Sequence, residues 1–563
     1  MHGKRKTYHT GPLVALFCLI GPLLMLSACS PWERLVKAPA DKQVLTLPQT
    51  GITDFDTLDP ALAHDDASIR AVQMLYTGLV QYNDKMEIVP QLAQSWKQES
   101  DGVTWTFQLK KNLTFSNGKP LTSKDVAYSL ERALKPETQS TVAPLYLDLL
   151  KDSDKLLAGT IDTLLDDSIK TPDDGTIVLI AKEPAAYFLD RLTLPSASVV
   201  NKELIDKYGA KFVDHLAEGA GAGPFVVSKY VRGQSITFVP NQHYYNTKPQ
   251  LQKVVFSIYH SPEEAYNAYL KKSVDIAPLP FSRYTQDKGR EDFHQVKQLW
   301  TNYYTMNYLA KPFQNIRIRQ AFALALDKKA IADQIWQGSV IPTNHIIPEG
   351  MPGYNPDLLG PDGTQNLSGN AQKAKELLQQ GLKEEQLSRL EPVTLSYATG
   401  NKQLEQEAQE IVKQWQSVLN VTVKAEGLDY NTLLDRITAT THNSQGLQIW
   451  GLSWVGEYAS PQNWLTYQFG TKAFNNNMNY GVTPQQKELQ QKLAQADKES
   501  NPESRMQTYK QAEQQLVNDV AWIPMEQFTS TFLRTPYIVG MPDTPSGIIP
   551  PDSWSNIYRV EPA

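Results

Sequence analysis

The amino-acid sequence predicts an α/β protein of several lobes, and three observations carry that prediction. Strand-like runs of alternating apolar residues take turns with helix-like runs along most of the chain. In the second half, two such strands enclose an amphipathic helix in the order of a βαβ unit, which belongs in a sheet covered by helices. The chain has 563 residues, too many for one hydrophobic core, and its 41% hydrophobic and 20% charged content is that of a globular protein.

At the amino end, Lys4-Arg5-Lys6, an apolar run from Leu13 to Leu26 and small residues before Cys29 make an export signal, too short to span a bilayer. Leu26-Ser27-Ala28-Cys29 resembles the lipobox of bacterial lipoproteins, which implies cleavage after residue 28 and acylation of Cys29. Each buried methylene adds about 0.8 kcal/mol, so several acyl chains would hold the body stably at the cell membrane, facing the extracellular side or periplasm. Cys18 leaves with the signal, so no thiol and no disulfide remain in the body. From Ser30 to Lys42 there is no periodicity, and the segment reads as a lipidated tether spanning 29–42.

Further along, Val103, Trp105, Phe107 and Leu109 alternate as a half-buried strand does. A tight turn at Asn117-Gly118 then delivers a helix capped by Thr122 and Asp125, with Val126, Leu130, Ala133 and Leu134 on one face. Phe225 to Val231 and Ser235 to Val239 form a hairpin around Arg232-Gly233, and Ser261 with Pro262 and Glu264 starts another helix. Arg317 and Arg319 flank the apolar stripe of Ile318, Phe322 and Ala325, so both are expected to reach solvent or carboxylates. The βαβ unit runs from the strand Val393 to Tyr397 through a helix bearing Leu404, Ala408, Ile411, Val412, Trp415, Val418 and Leu419 to the strand Val421 to Ala425. Around Asn475 to Gln491 a loop passes into a surface helix spaced by Leu489, Leu493 and Ala496.

Composition and motifs exclude several classes of function. A net charge of −6, more negative once the basic export signal is gone, argues against nucleic acid. The histidines are scattered, with no His-Glu-x-x-His, and Asp54, Asp56 and Asp59 lack the later glycine and glutamate of a calcium loop. Neither a metal nor a cofactor is expected. Ser116 to Lys119 has a serine/lysine spacing but no Lys-Thr-Gly partner, and Gly451 to Gly456 misses the nucleophile-elbow spacing by one residue. Gly219, Gly221 and Gly223 suggest a phosphate loop until Pro224 blocks the helix it must open. No catalytic residue is expected, and the chain reads as a non-enzyme.

Four blocks, in order, resemble the solute-binding proteins of peptide-importing ABC transporters, the oligopeptide- and dipeptide-binding family (solute-binding protein family 5). They are Leu58-Asp59-Pro60 with Tyr76 to Val80 and Pro90 to Trp96; Trp105 to Phe107 with Phe115 to Val126; Gly221 to Phe225 with Asn241 to Tyr245; and Asn307, Pro312-Phe313, Arg317 to Ala321 and Ala325 to Lys328. The resemblance implies a two-lobed, periplasmic-binding-protein-like fold with an extra domain inserted in the first lobe. Residues 43–78, 191–300 and 526–563 would form the first lobe, 79–190 the inserted domain and 301–525 the second lobe, with crossings near Trp300 and Met525. It also implies a monomer that closes on an oligopeptide and delivers it to the permease and ATPase subunits of an importer.

A receptor for peptides of any sequence must hold what peptides share, by pairing with the main chain as an added strand and setting a carboxylate beside the amino end. Gly451 to Pro461 resembles the family's cleft strand, where an aspartate before a tyrosine holds that amino group; here Glu457 precedes Tyr458, one methylene longer. The resemblance places Trp454, Val455 and Gly456 along the bound strand. It sets His64 and Asp66, in Ala63 to Ala67, at the cleft edge of the first lobe, and Tyr303 beside the crossing. Relatives of this fold also take nickel chelates, opines or sugars, or sense peptides at the surface; Glu457 favours a ligand bearing an ammonium. An exported serine hydrolase is the weakest alternative.

Overall fold

Two long antiparallel strands, Phe293–Met306 and Ile523–Arg534, pass from one half of the molecule to the other. Their ladder runs from Phe293 opposite Leu533 to Lys297 opposite Thr529 and resumes at Thr301 opposite Gln527, leaving residues 298–300 out of register. Trp300, where the resemblance sets a crossing between lobes, lies in this break, its ring 4.3 Å from that of Phe528. This computed structural model describes residues 35–562; the export signal and the lipid site Cys29 lie outside the described residues. Among the described residues no helix is long and apolar enough to cross a membrane.

The first lobe rests on a four-stranded sheet in the order Val44–Thr50, Lys253–Tyr259, Ser235–Pro240, Phe225–Val231. The last two are the expected hairpin, and Gly233 turns it at a φ of +68°, open to glycine at little cost. Val44–Thr50 and Lys253–Tyr259 are parallel, so the chain must leave the sheet and return between them. That interval holds a second four-stranded sheet, Ala93–Gln98, Thr104–Leu109, Thr176–Ile180 and Ile169–Asp173, covered by the helix Ser123–Leu134. Trp105, Phe107 and Leu109 are buried as their alternation requires, and the capping box of Thr122 and Asp125 is formed. Arg132 on this helix grips Asp59 with both guanidinium nitrogens, an ion pair almost wholly out of solvent that ties the insertion to the Leu58-Asp59-Pro60 loop.

In the second lobe the crossing strands join the sheet order Ile276–Pro278, Ile523–Arg534, Phe293–Met306, Ile449–Val455, Val393–Ala398, Val423–Leu428. Its last two strands, with helix Lys402–Leu419, are the expected βαβ unit, its second strand two residues later than the sequence suggests. Ala408, Ile411 and Trp415 are fully buried on the face their spacing defines. The loop and helix after Asn475 also appear, the helix as Pro484–Ala496.

Two expectations change. Arg317 does pair with Glu384 at the surface, but Arg319 is only 2% exposed. Its guanidinium donates to the carbonyls of Asp519, Phe313 and Gln314 and lies 3.9 Å from the centre of the Tyr308 ring, so it clamps main chain instead of reaching water. Within the segment read as a tether, Leu35–Lys37 is a strand paired with residues 560–562 at the far end of the chain. Local periodicity carries no trace of such a pairing, because the partner that satisfies the backbone is more than five hundred residues away.

Candidate functional site

The strand Ile449–Val455 has one edge paired along its length with residues 300–306. Its other edge meets Val393–Ala398 only at Ile449 and Trp450, so from Gly451 to Val455 that edge is free of pairing among the described residues. An open strand edge is a template for another chain. Gly451 lets this strand lie against Tyr304, since a Cβ there would stand 2.6 Å from its ring, and at Gly456 a Cβ would stand 3.1 Å from the Trp464 ring. The indole of Trp454 donates to Asn463 Oδ1 at 3.0 Å, and the amide of Glu457 leans on the same oxygen at 3.4 Å. Val455 is 56% exposed, opposite Trp300.

Past the open edge stands Glu457, largely buried. Loss of solvent pushes its carboxyl above the usual range, while the Arg191 guanidinium, the Tyr146 hydroxyl and the Asn463 amide oppose the shift. Tyr146, held in a one-turn helix of the insertion, is pushed up in turn by burial and by Glu457. A carboxylate short of compensating charge at the end of an unpaired strand is suited to an ammonium. Neither Tyr146 nor Arg191 was singled out by the sequence; they approach Glu457 from more than 260 positions away, outside any local motif.

In the first lobe, the helix Asp66–Leu75 is capped by Asp65, whose Oδ1 accepts from the Ser68 amide at 2.9 Å. Asp66 pairs with Arg70 one turn on, at 2.7 Å. Both line a cavity of about 540 Å³ walled also by Gln49, Gln298, Phe532 and Arg534. The cavity and the paired side of that strand's end both adjoin the break in the crossing ladder. Gln298 lines the cavity, and the next carbonyl, Leu299, accepts from the amide of Gly456 at 2.8 Å.

Of the residues expected in the site, Trp454 and Val455 end the strand Ile449–Val455, Gly456 and Glu457 follow it directly, and Asp66 lies in the wall of the first-lobe cavity. His64 is exposed on the loop before Asp65, 3.8 Å from the Asp56 carboxylate. Asp56, His64 and Asp65 each offer an atom within 4.8 Å of the others, a largely exposed cluster where no metal was expected. Two expected ligand contacts need correction. Tyr303 is 4% exposed with its ring flat against Trp522 at 3.6 Å, so it packs the second lobe's core. Tyr458 is 1% exposed, stacked on Tyr187 and covered by the Arg191 guanidinium 4.9 Å from its ring centre, so it joins the second lobe to the insertion.

Two lobes bridged by a pair of strands, with an open strand edge that ends at a half-buried acid, define a binding protein of the two-lobed periplasmic type. Residues 87–476 match the middle region of the bacterial extracellular solute-binding proteins, family 5, and the chain belongs to that family. It is 26% identical to the dipeptide-binding protein DppE of Bacillus subtilis over 88% of each chain. Among solved structures it resembles the unliganded open form of the periplasmic murein tripeptide-binding protein MppA, with a TM-score of 0.81 at 26% identity over 94% of this chain and 99% of that one. Another structure of that protein, from Escherichia coli, matches at 0.68 with 25% identity over 93% of this chain and 99% of that one.

Proposed function

We propose that this chain is the substrate-binding component of a peptide-importing ABC transporter. It captures short peptides between its lobes and hands them, once closed, to permease and ATPase subunits. The free edge of Gly451 to Val455 ending at Glu457 carries this reading: the edge offers main-chain hydrogen bonds to any sequence, and the acid takes the amino end. The names of the relatives, binders of dipeptides and murein peptides, support the same ligand class. Residues 43–78, 191–300 and 526–563 would act as the first lobe, 79–190 as the insertion and 301–525 as the second lobe, which swings about the break at residues 298–300. Closure follows from differential affinity, since a ligand held by both lobes stabilises only the closed form. Export and lipid on Cys29 would hold the protein, a monomer, at the membrane's outer face. No reaction is assigned to it.

Calorimetric titration with di- to pentapeptides, free and amino-acetylated, tests the reading. Free peptides should bind, and acetylation should weaken them by ten- to a hundredfold, the loss of a charge-assisted hydrogen bond of about 1.5–3 kcal/mol. Equal binding of both forms would refute the role of Glu457, and binding of neither would refute the peptide class.

A further inference from the structure

The strand Leu35–Lys37 shortens the tether that the sequence suggests. It pairs with residues 560–562, Leu35 opposite Pro562 and Lys37 opposite Val560. Buried Gln43 locks this pair to the first lobe: its side-chain amide donates to the carbonyls of Ala38 at 2.7 Å and Arg559 at 2.9 Å and accepts from the Arg559 amide at 2.8 Å. Its own carbonyl takes the Gln252 amide at 2.8 Å, at the head of the strand Lys253–Tyr259. Arg559 adds an ion pair with Asp275 at 2.6 Å, and the other Asp275 oxygen accepts from the Thr46 amide at 2.8 Å. Only residues 30–34 therefore separate Cys29 from the folded body. Six steps of chain, at no more than about 3.6 Å each, reach about 20 Å. Leu35–Lys37 is the outer strand of its three-stranded sheet, with Leu35 46% and Val36 39% exposed, and of residues 35–42 Ala38 alone is buried. An apolar strand at an edge is ordinarily paired, charged or covered. Exposed lysines stand beside it: Lys37, which donates to Gln250 two positions past Lys248, and Lys253, opposite Val44. The nearby acids are Asp41 and Glu561, the latter held by Lys42 at 2.7 Å.

We propose that this edge of the first lobe, Leu35 to Lys42, rests on the surface of the bilayer that holds the lipid on Cys29, with Leu35 and Val36 among the headgroups and the lysines toward anionic lipid. The proposal rests on the lipid reading above. The length of chain selects the partner, because five residues between an acylated cysteine and the strand bring this edge to the membrane ahead of the rest of the body. Apolar side chains gain from the headgroup region, and lysines close to an anionic surface add an attraction that fades within about 10 Å. Held rigidly through Gln43 and Arg559, the first lobe keeps one orientation to the membrane, and closure moves the second lobe relative to it.

The test places the lipidated protein on vesicles of phosphatidylglycerol and phosphatidylcholine whose headgroups carry a fluorescence quencher. Apart from Cys29 the exported chain has no thiol, so Ala40→Cys and, on the helix Lys402–Leu419, Lys413→Cys each take a single dye at an exposed position. The dye at position 40 should be quenched about threefold more than the dye at 413, since attraction to the surface is short-ranged. A flexible Gly/Ser insert of about ten residues after Ser30 should leave most of that excess, because the edge itself holds to the surface. Adding Leu35→Ser and Val36→Ser to the lengthened chain should cut the excess about fivefold, with the thermal midpoint unchanged because both side chains are exposed. Equal quenching at 40 and 413 with the protein retained on the vesicles, loss of the excess on lengthening alone, or indifference to the two serines would overturn the proposal and leave the lipid reading intact. Protein that leaves the vesicles with Cys29 present would overturn both.

Discussion

Glu457 reaches one methylene further from the main chain than an aspartate would, and the structure gives that length a use. The side chain extends to Tyr146 of the insertion and to Arg191 at its boundary with the first lobe, rather than stopping at its own strand. Arg191 is itself 6% exposed and shared with the Tyr458 ring, so it does not neutralise Glu457 outright, and burial still raises the carboxyl. An incoming ammonium would complete the charge balance and draw the pKa down again. Glu457→Gln should therefore weaken free peptides by about 1.5–3 kcal/mol and leave acetylated ones unchanged. Proton linkage gives the sign of the pH effect: the free protein holds the proton on Glu457 to a higher pH than the complex does. Affinity for free peptides should fall as the medium is acidified through that raised pKa, and the Gln variant should lose this dependence. Titration across pH with free and acetylated peptides reads both effects.

At the scale of elements, the open edge exists because the strand Ile449–Val455 outlasts its neighbour. Val393–Ala398 pairs with it at two residues and then continues alongside Val423–Leu428 only. Gly451 sits where the pairing ends, against the Tyr304 ring, and Tyr304 in turn donates to the buried Glu407 at 3.1 Å. Gly451→Val would force the strand and ring apart. The expected cost is about 1–3 kcal/mol of stability, seen as a lower urea midpoint, with weaker peptide binding because the edge moves with the strand. A substitution that left both untouched would mean that the close approach at Gly451 is not needed.

Over the whole molecule, the crossing strands are anchored by polar groups that few cores tolerate. Asn302 on one strand donates to Glu407 at 2.8 Å and to Glu526, on the other, at 2.7 Å, and burial raises both carboxyls. A second set of buried acids lies between the insertion and the second lobe. Asp190 accepts from the Tyr82 hydroxyl, and Tyr82 in turn accepts from the Ala459 amide. Asp497 accepts from Tyr509 and Thr466, and its carbonyl takes the Ala186 amide at 2.7 Å. Burial pushes Asp190 up to about 6 and Asp497 up to about 7, against the pull of Arg505 on the first and Lys498 on the second; Glu183 adds to the rise of Asp497. A carboxyl raised by folding supports the folded form fully at pH below its ordinary range and loses that support as the pH climbs through the raised value. The thermal midpoint should accordingly fall between about pH 4 and pH 7, and Asp497→Asn should flatten the upper part of that fall; an unaltered slope would place the acid elsewhere.

Strand alternation, the capping box of Thr122 and Asp125, the hairpin at Arg232-Gly233 and the βαβ unit were legible in the sequence, because each depends on residues a few positions apart. The sequence also determined that an acid, Glu457, follows the strand Ile449–Val455. Only the tertiary structure decided what that acid meets, that Tyr303 and Tyr458 are packing residues, and that Leu35–Lys37 is a paired strand. These depend on contacts between segments hundreds of residues apart, where burial and the direction of a side chain follow from how the lobes are assembled and no local spacing records it.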